Sequence, residues 1–296
     1  MPKNQSDKHT DKGADYAMDV EDESAPFLRQ DQKSSQKESA PLTEPLTHVK
    51  NKSFFETFLC CCLRDEKNQL NSQELLAFHS LKSECNILFD PENEEHNKIV
   101  HILWTTLTNE TKLEKIHNER WKDYGFQGND PRTDFRGGGT MGLKMFLGFA
   151  QNYTGVVQRM IDPTDDFFAA ISSINITGYL MRYFHLAHYL EYEKDKSVIC
   201  SRMGLKNFCA ILSKDNEAFR KFHDLLFEDL FDLWKDLKIK QKGATIADFN
   251  VCMDEVRRKM DVAINKEYYK TFSNFKGEYK EINHWDGKMP SLAKIH

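Results

Sequence analysis

The chain has 296 residues, with 41 lysines and arginines against 46 aspartates and glutamates, and its formal net charge is −5 at neutral pH. This mildly acidic balance is typical of a soluble globular protein and lacks the overall positive charge that favours nucleic acid as a partner. No stretch approaches the roughly 20 apolar residues of a membrane-spanning helix, and no apolar signal-peptide segment follows the N-terminus, so we expect a cytoplasmic location.

The first 50 residues are polar, and Tyr16 and Phe27 are the only aromatic residues among them. A segment of this composition buries too little apolar surface to offset the conformational entropy lost on folding. The sequence therefore predicts a disordered N-terminal arm at 1–50.

Residues 51–69 form an aromatic and cysteine-rich segment in which Cys60, Cys61 and Cys62 are consecutive. One interpretation is S-acylation, in which thioester-linked lipid chains anchor a weakly apolar segment and bring the protein to a membrane surface. The alternative is a hydrophobic cap buried on the following domain. The other four cysteines lie in helix-like segments and are predicted to be buried apolar residues: Cys85, Cys200, Cys209 and Cys252.

From about residue 70, apolar residues recur every three or four positions, which predicts helices. We expect the first helix to be capped at Asn71 or Ser72, and a third helix at 113–124 to end at Gly125. No segment shows the alternation of a strand. The sequence therefore predicts an all-α fold, with one multi-helix domain at 70–268 and a polar C-terminal tail at 269–296.

Residues 125–142 interrupt the helical pattern and contain six of the chain's 14 glycines. They predict one long Gly-rich loop, and such a connection inside a helical domain is uncommon and often functional. Gly137, Gly139 and Gly142 match the spacing of a dinucleotide-binding loop, but that motif follows a buried strand, which residues 132–136 do not resemble.

Arg136 lies in this loop between Phe135 and three consecutive glycines, and two interpretations of it compete. Ion pairs with neighbouring carboxylates could stabilise the loop, but exposed ion pairs contribute only about 0–1 kcal/mol. The alternative is a catalytic arginine presented to another protein. A guanidinium is permanently charged and contacts phosphate oxygens in a bidentate manner, and such a charge accelerates phosphoryl transfer.

Residues 121–139, which read WKDYGFQGNDPRTDFRGGG, resemble the signature of the engulfment-and-cell-motility (ELMO) domain, W-x-x-x-G-[FW]-Q-G-x-[DN]-P-x-T-D-F-R-G-x-G. The resemblance extends over roughly 90–260 and favours the small, single-domain ELMO-domain-containing proteins. The signature positions that we single out as site residues are Trp121, Gly125, Gln127, Gly128, Pro131, Thr133, Asp134, Arg136, Gly137 and Gly139.

The resemblance implies a GTPase-activating protein for small GTPases of the Arf and Arf-like group, with Arg136 as an arginine finger in trans. The partner GTPase would hold GTP and Mg²⁺, so the chain would need no cofactor of its own. Asp134 would orient Arg136 or shape the loop, and Gly137 and Gly139 would allow close approach to the nucleotide. Gln127 would brace the loop with its amide or, less simply, position the attacking water.

The same resemblance leaves an alternative function open. The chain would then be a non-catalytic scaffold or effector that binds a small GTPase or a Dock-type exchange factor in cytoskeletal or engulfment signalling. The intact T-D-F-R-G-x-G sequence, which ends at Gly139, favours the activating function. An acylated segment before the domain would place it at membranes, where Arf-like GTPases act.

His185, His188 and Glu191 recur at positions i, i+3 and i+6 of a predicted helix. They lack the H-E-x-x-H pattern, and no second group of ligands is identifiable. We therefore expect no metal site.

Overall fold

The computed structural model describes residues 68–190, 200–241 and 243–283. The predicted arm at 1–50, the acylation candidates Cys60, Cys61 and Cys62, and residues 284–296 lie outside the described residues. In the described part of the chain the regular elements are all helical, which confirms the predicted all-α class. None of the described helices is both long and apolar enough to cross a membrane.

Nine α-helices and three short 3₁₀ helices make up the described fold. The α-helices are α1 (Ser72–Cys85), α2 (Glu94–Thr108), α3 (Gly139–Asn152), α4 (Thr154–Met160), α5 (Ala169–Tyr183), α6 (Arg202–Leu212), α7 (Ala218–Lys240), α8 (Ile246–Ile264) and α9 (Phe272–Glu281). The 3₁₀ helices are Glu119–Tyr124, Pro131–Arg136 and His188–Leu190.

Side-chain caps explain where several helices begin. Asn71 caps α1 because its side chain accepts from the backbone N–H of Glu74 at 3.0 Å, while the Glu74 carboxylate accepts from the Asn71 N–H at 2.8 Å. The same reciprocal capping box joins Thr245 and Asp248 at the start of α8. Each box satisfies backbone donors that the first helical turn leaves without partners.

Helix α3 occupies the centre of the domain and packs against α1, α2, α4, α5 and α7. Aromatic residues pack between the helices: the Phe149 ring of α3 lies 4.7 Å from Phe227 of α7, and Phe184, which follows α5, stacks on Phe208 of α6 at 3.8 Å. Aromatic burial of this extent supplies much of the hydrophobic stabilisation of the fold.

All four described cysteines are buried and free, as predicted. Burial raises the pKa of Cys85 to about 12 and that of Cys252 to about 12, because a thiolate loses its solvation in the apolar core. These thiols therefore pack as small apolar side chains.

The predicted end of the domain at residue 268 is wrong. The chain continues into α9, which packs on α7 and α8 and buries Phe275 and Tyr279 completely. The Tyr279 hydroxyl donates to Oδ2 of Asp229 at 2.7 Å. Two aromatic residues four positions apart form the buried face of α9, and the surrounding polar residues concealed that face in the sequence.

Two of the predicted helices are shorter in the structure than the sequence pattern indicates. The segment 113–124 is helical only at Glu119–Tyr124, as a 3₁₀ turn that ends at Gly125 with a φ of 81°. Helix α5 ends at Tyr183, and His185 adopts a φ of 56°, so His185 and His188 do not share a helix. Glu191 is not among the described residues, and within them no cluster of metal-ligand side chains occurs.

Candidate functional site

The segment before α3 is folded into a 3₁₀ helix at Pro131–Arg136. Asp130 caps it: one carboxylate oxygen accepts from the Arg132 N–H at 3.0 Å, and its backbone carbonyl accepts from the Thr133 hydroxyl at 2.9 Å. Pro131 is buried at the first helical position, where its missing N–H is not needed. The Asp-Pro-x-Thr sequence therefore defines the start of this turn locally.

Phe135 attaches the turn to the core. Its side chain is fully buried, and its ring lies 5.9 Å from Phe126 and 5.5 Å from Phe89. Phe126 in turn contacts the fully buried Trp121 at 5.1 Å, and the Trp121 indole N–H donates to the Ile116 carbonyl at 2.7 Å. This chain of contacts fixes the backbone position of the residue that follows Phe135.

Asp134 connects the two halves of the loop. Only 7% of the residue is exposed, and Oδ2 accepts from the backbone N–H of Gln127 at 3.0 Å. Burial raises the pKa of Asp134 to about 6, although the Gln127 N–H and the charge of Arg136 act in the opposite direction. The contact uses the backbone of Gln127, while its side chain is exposed.

Arg136 is exposed at the end of the 3₁₀ helix, and its Nε donates to the carbonyl oxygen of Thr133 at 2.9 Å. Within the described ranges no carboxylate forms an ion pair with Arg136, and no hydrogen bond joins it to Asp134. Arg132 differs: its guanidinium is bidentate to Asp130, with Nε–Oδ1 at 2.9 Å and Nη2–Oδ2 at 2.7 Å. Among the described residues, the fold thus pairs Arg132 with Asp130 and provides no carboxylate partner for the terminal nitrogens of Arg136.

The glycines around Arg136 differ in what they do. Gly139 has a φ of 58°, and a Cβ there would lie 2.8 Å from the Ile87 carbonyl oxygen and 2.9 Å from the Tyr189 hydroxyl. Gly137 has a φ of −81°, and a Cβ there would meet nothing within 4 Å. The fold requires glycine at position 139 but not at position 137. The missing side chain of Gly137 leaves open space beside the Arg136 backbone.

The remaining predicted site residues frame the loop. Gly125 has a φ of 81°, and a Cβ would overlap the Ala169 backbone, so this position closely contacts the start of α5. Gly128 is half-buried and Thr133 is exposed. Gly128 and Thr133 therefore contribute to the solvent-accessible surface of the loop that carries Arg136.

A supporting segment was not predicted from the sequence. The Ile87 carbonyl oxygen accepts from both the N–H and the hydroxyl of Thr140, each at 3.1 Å, and thereby caps the start of α3. Asn86 holds this segment by donating from Nδ2 to the Leu186 carbonyl at 2.7 Å. No motif marks these residues, because their role comes from contacts between distant parts of the chain.

A sequence model of the ELMO/CED-12 family matches residues 79–253, which is more than half of the chain and includes the whole Arg136 loop. The chain belongs to the ELMO/CED-12 family. This membership confirms the resemblance carried by residues 121–139.

Curated relatives of this ELMO-family chain include "ELMO domain-containing protein C" of Dictyostelium discoideum, 25% identical over 67% of this chain and 34% of the relative. "ELMO domain-containing protein 2" of Bos taurus is 30% identical over 58% of this chain and 54% of the relative. The human protein of the same name is 37% identical over 30% of this chain and 32% of its own length. The chain thus spans between about a third and a half of these relatives.

The ELMO core also contains a buried serine–histidine–aspartate arrangement. Ser173 Oγ lies 2.9 Å from His223 Nε2, and His223 Nδ1 lies 3.1 Å from Asp224 Oδ1. This connectivity occurs in hydrolase triads. All three side chains are buried, however, so no substrate reaches the serine, and the arrangement joins α5 to α7.

Proposed function

We propose that this protein is a GTPase-activating protein for small GTPases of the Arf and Arf-like group, and that Arg136 acts as its arginine finger. Family membership and the intact loop motif support the general assignment. The observation that supports Arg136 as the arginine finger is the contrast between the two arginines of the loop. Arg132 forms an ion pair with Asp130, whereas Arg136 is exposed and has no carboxylate partner in the described structure.

The chemistry follows from the position of the guanidinium. The partner GTPase would hold GTP, Mg²⁺ and the attacking water, and Arg136 would place its terminal nitrogens against the β- and γ-phosphate oxygens. Negative charge develops there in the transition state, and arginine fingers accelerate hydrolysis by about 10³–10⁵-fold, roughly 4–7 kcal/mol. The chain itself would supply no nucleotide or metal site.

The loop supports this role through preorganisation. The hydrogen bond from Arg136 Nε to Thr133 fixes the base of the guanidinium, and the burial of Phe135 fixes the backbone before it. A charge that is already in place requires little reorganisation during the reaction. Asp134 would contribute by closing the loop through Gln127 rather than by bonding to Arg136.

Single-turnover GTP hydrolysis by a panel of Arf and Arf-like GTPases tests this function. We expect wild type to accelerate at least one GTPase, Arg136→Ala to lose about 10³-fold or more of the acceleration, and Arg136→Lys to restore little of it. Arg159→Ala, which removes an exposed arginine from α4, is the matched control and should retain full activity.

Binding of the GTP-loaded form without accelerated hydrolysis would refute the catalytic proposal. It would instead support the alternative function, a scaffold or effector for a small GTPase or a Dock-type exchange factor. Equal activity of Arg136→Lys and wild type would refute the bidentate role of the guanidinium while leaving a simple charge effect.

We propose in addition that the protein is cytoplasmic and contacts membranes peripherally through acylation of Cys60, Cys61 and Cys62. The support is the sequence of this segment alone. Labelled palmitate should be incorporated by the full chain in cells and lost when the three cysteines are replaced by serine. Absence of label from the wild-type chain would refute the anchor.

A further inference from the structure

A cleft of about 470 Å³ lies at the C-terminal end of α3, between the turn that joins α6 to α7 and the start of α9. Its volume is within the range of clefts that bind small molecules. Tyr153 and Phe272 form apolar parts of the wall, and four lysines surround them: Lys214, Lys221, Lys270 and Lys276.

The cleft is strongly basic in an acidic protein. Four lysines and one carboxylate, Asp215, line it, which gives a formal charge of +3 where the whole chain carries −5. Asp215 is paired with Lys221 at 2.6 Å. The described residues provide no ion pair for Lys214, Lys270 or Lys276, although Glu228, outside the lining, has its pKa affected by the charge of Lys276.

Neutral donors complete the lining. Ser273 contributes a hydroxyl group, whereas the Thr271 hydroxyl caps α9, where it donates to Asn274 Oδ1 at 2.6 Å and accepts from the Asn274 N–H at 3.3 Å. The first N–H groups of a helix have no partner within it and attract anions. The cleft therefore combines lysine ammonium groups and a serine hydroxyl with the start of α9 in one wall.

We infer that this cleft binds a multiply phosphorylated small ligand of the phosphorylated-inositol class, either as a lipid headgroup or as a free molecule. Several ammonium groups around a cleft match several phosphates, and lysine binds phosphate as a point charge without the fixed geometry of arginine. The exposed ring of Tyr153 offers an apolar surface for the ligand's carbon ring.

This site is separate from the Arg136 loop. The cleft lies beyond the last turn of α3 and the loop precedes its first turn, and this helix of 14 residues is about 20 Å long. The inference therefore does not depend on GTPase activation, and direct binding tests it without a hydrolysis assay.

The experiment uses the full chain and two forms of one probe. Isothermal titration with inositol 1,4,5-trisphosphate measures the free ligand. Sedimentation with phosphatidylcholine vesicles containing phosphatidylinositol 4,5-bisphosphate measures the lipid form, and vesicles of equal charge made with phosphatidylserine control for general electrostatic attraction. The test variant is Lys270→Gln with Lys276→Gln, because both side chains are exposed and neither forms an ion pair with a carboxylate of the described residues.

The matched control is Lys115→Gln with Lys240→Gln, which changes the net charge equally at exposed positions outside the cleft. We expect wild type and control to bind inositol trisphosphate within twofold of each other, and the cleft variant to bind at least tenfold more weakly with an unchanged melting temperature. Selective recruitment to the inositol-lipid vesicles would identify the headgroup as the source, and binding of the free ligand alone would identify a soluble one. No binding by wild type, or equal weakening by control and cleft variants, would overturn the inference.

Discussion

The carboxylate of Asp134 accepts a hydrogen bond from the backbone N–H of Gln127 at 3.0 Å and thereby joins the two ends of the Arg136 loop. The contact is buried, and burial rather than a neighbouring charge dominates the raised pKa of Asp134. The loop that presents Arg136 is therefore closed by a group whose charged form is unfavourable in the folded protein.

This relationship predicts a pH-dependent stability. The folded pKa of Asp134, about 6, exceeds the ordinary value of 3.8, so the folded state binds more protons than the unfolded state between these values. The free energy of unfolding therefore falls as the pH rises from about 4 to about 6, by up to about 2–3 kcal/mol from this group, and then levels off.

Asp134→Asn isolates this effect, because an amide oxygen still accepts from Gln127 but does not ionise. Urea unfolding between pH 4 and 7.5 should show the variant gaining stability relative to wild type as the pH rises. Asp123→Asn, which removes an exposed carboxylate close to the loop, should show no such trend. A constant difference between Asp134→Asn and wild type across this range would contradict the prediction.

Replacement by alanine is expected to affect different properties at Gly137 and Gly139, namely GTPase stimulation at the first and stability at the second. Gly137→Ala should leave the unfolding free energy within about 0.5 kcal/mol of wild type, since surface changes away from special features usually do so, and the added methyl group meets nothing. It should nevertheless reduce GTPase stimulation, because the methyl group would occupy the space beside Arg136 that a partner approaches.

Gly139→Ala should destabilise the fold by about 2 kcal/mol or more, because it combines a positive φ with overlap onto the Ile87 carbonyl and the Tyr189 hydroxyl. Thermal unfolding and single-turnover hydrolysis on both variants give the comparison. Full stimulation by a folded Gly137→Ala protein would show that the partner does not approach this backbone.

The long helices were predictable because their apolar residues recur with helical spacing over many turns. The apolar residues that recur from Phe219 to Leu237 all lie within α7, and of the two predicted caps of α1, Asn71 and Ser72, Asn71 is the observed one. The short 3₁₀ helix at Pro131–Arg136 was not predictable in detail. Its position depends on Phe89 and on the contact between Asp134 and Gln127, which come together only in the folded chain.

Arg136 could be singled out from its neighbours in the sequence, but its hydrogen bond could not. The family resemblance predicts that Asp134 orients Arg136 or shapes the loop, and in the described residues no hydrogen bond joins Asp134 to Arg136. The 3₁₀ turn instead directs Asp134 inward to Gln127 and directs Arg136 back to the Thr133 carbonyl. The polar surroundings of Phe275 and Tyr279 similarly concealed α9.

Replacement of Ser173 is expected to lower the stability of the fold and not to remove a catalytic activity. Ser173→Ala leaves Nε2 of the buried His223 without its partner, so we expect a loss of about 1–3 kcal/mol in unfolding free energy. A fluorophosphonate probe should leave Ser173 unlabelled in the folded wild-type protein, because all three polar side chains are buried. Labelling of wild type that disappears in Ser173→Ala would show an accessible nucleophile and contradict the structural role.

Because α9 packs on the domain, we expect the stability of the domain to depend on residues after 268. Truncation there would expose Phe222, which packs on Phe275 at 4.6 Å, and would remove the Tyr279 hydroxyl from Asp229. Asp229 also binds the buried Lys259 at 2.9 Å, so the loss would open a partly buried ion pair to solvent. We expect the truncated chain to lose several kcal/mol of unfolding free energy, measured by urea denaturation.

Tyr279→Phe separates the hydrogen bond from the packing, since it keeps the buried ring and removes only the hydroxyl. It should cost about 1 kcal/mol, far less than truncation after residue 268. Truncation after 283 keeps α9 and serves as the control for chain length, because it removes only residues beyond the helix. A chain ending at 268 that unfolds at the same urea concentration as the chain ending at 283 would show that α9 adds nothing to the stability of the domain.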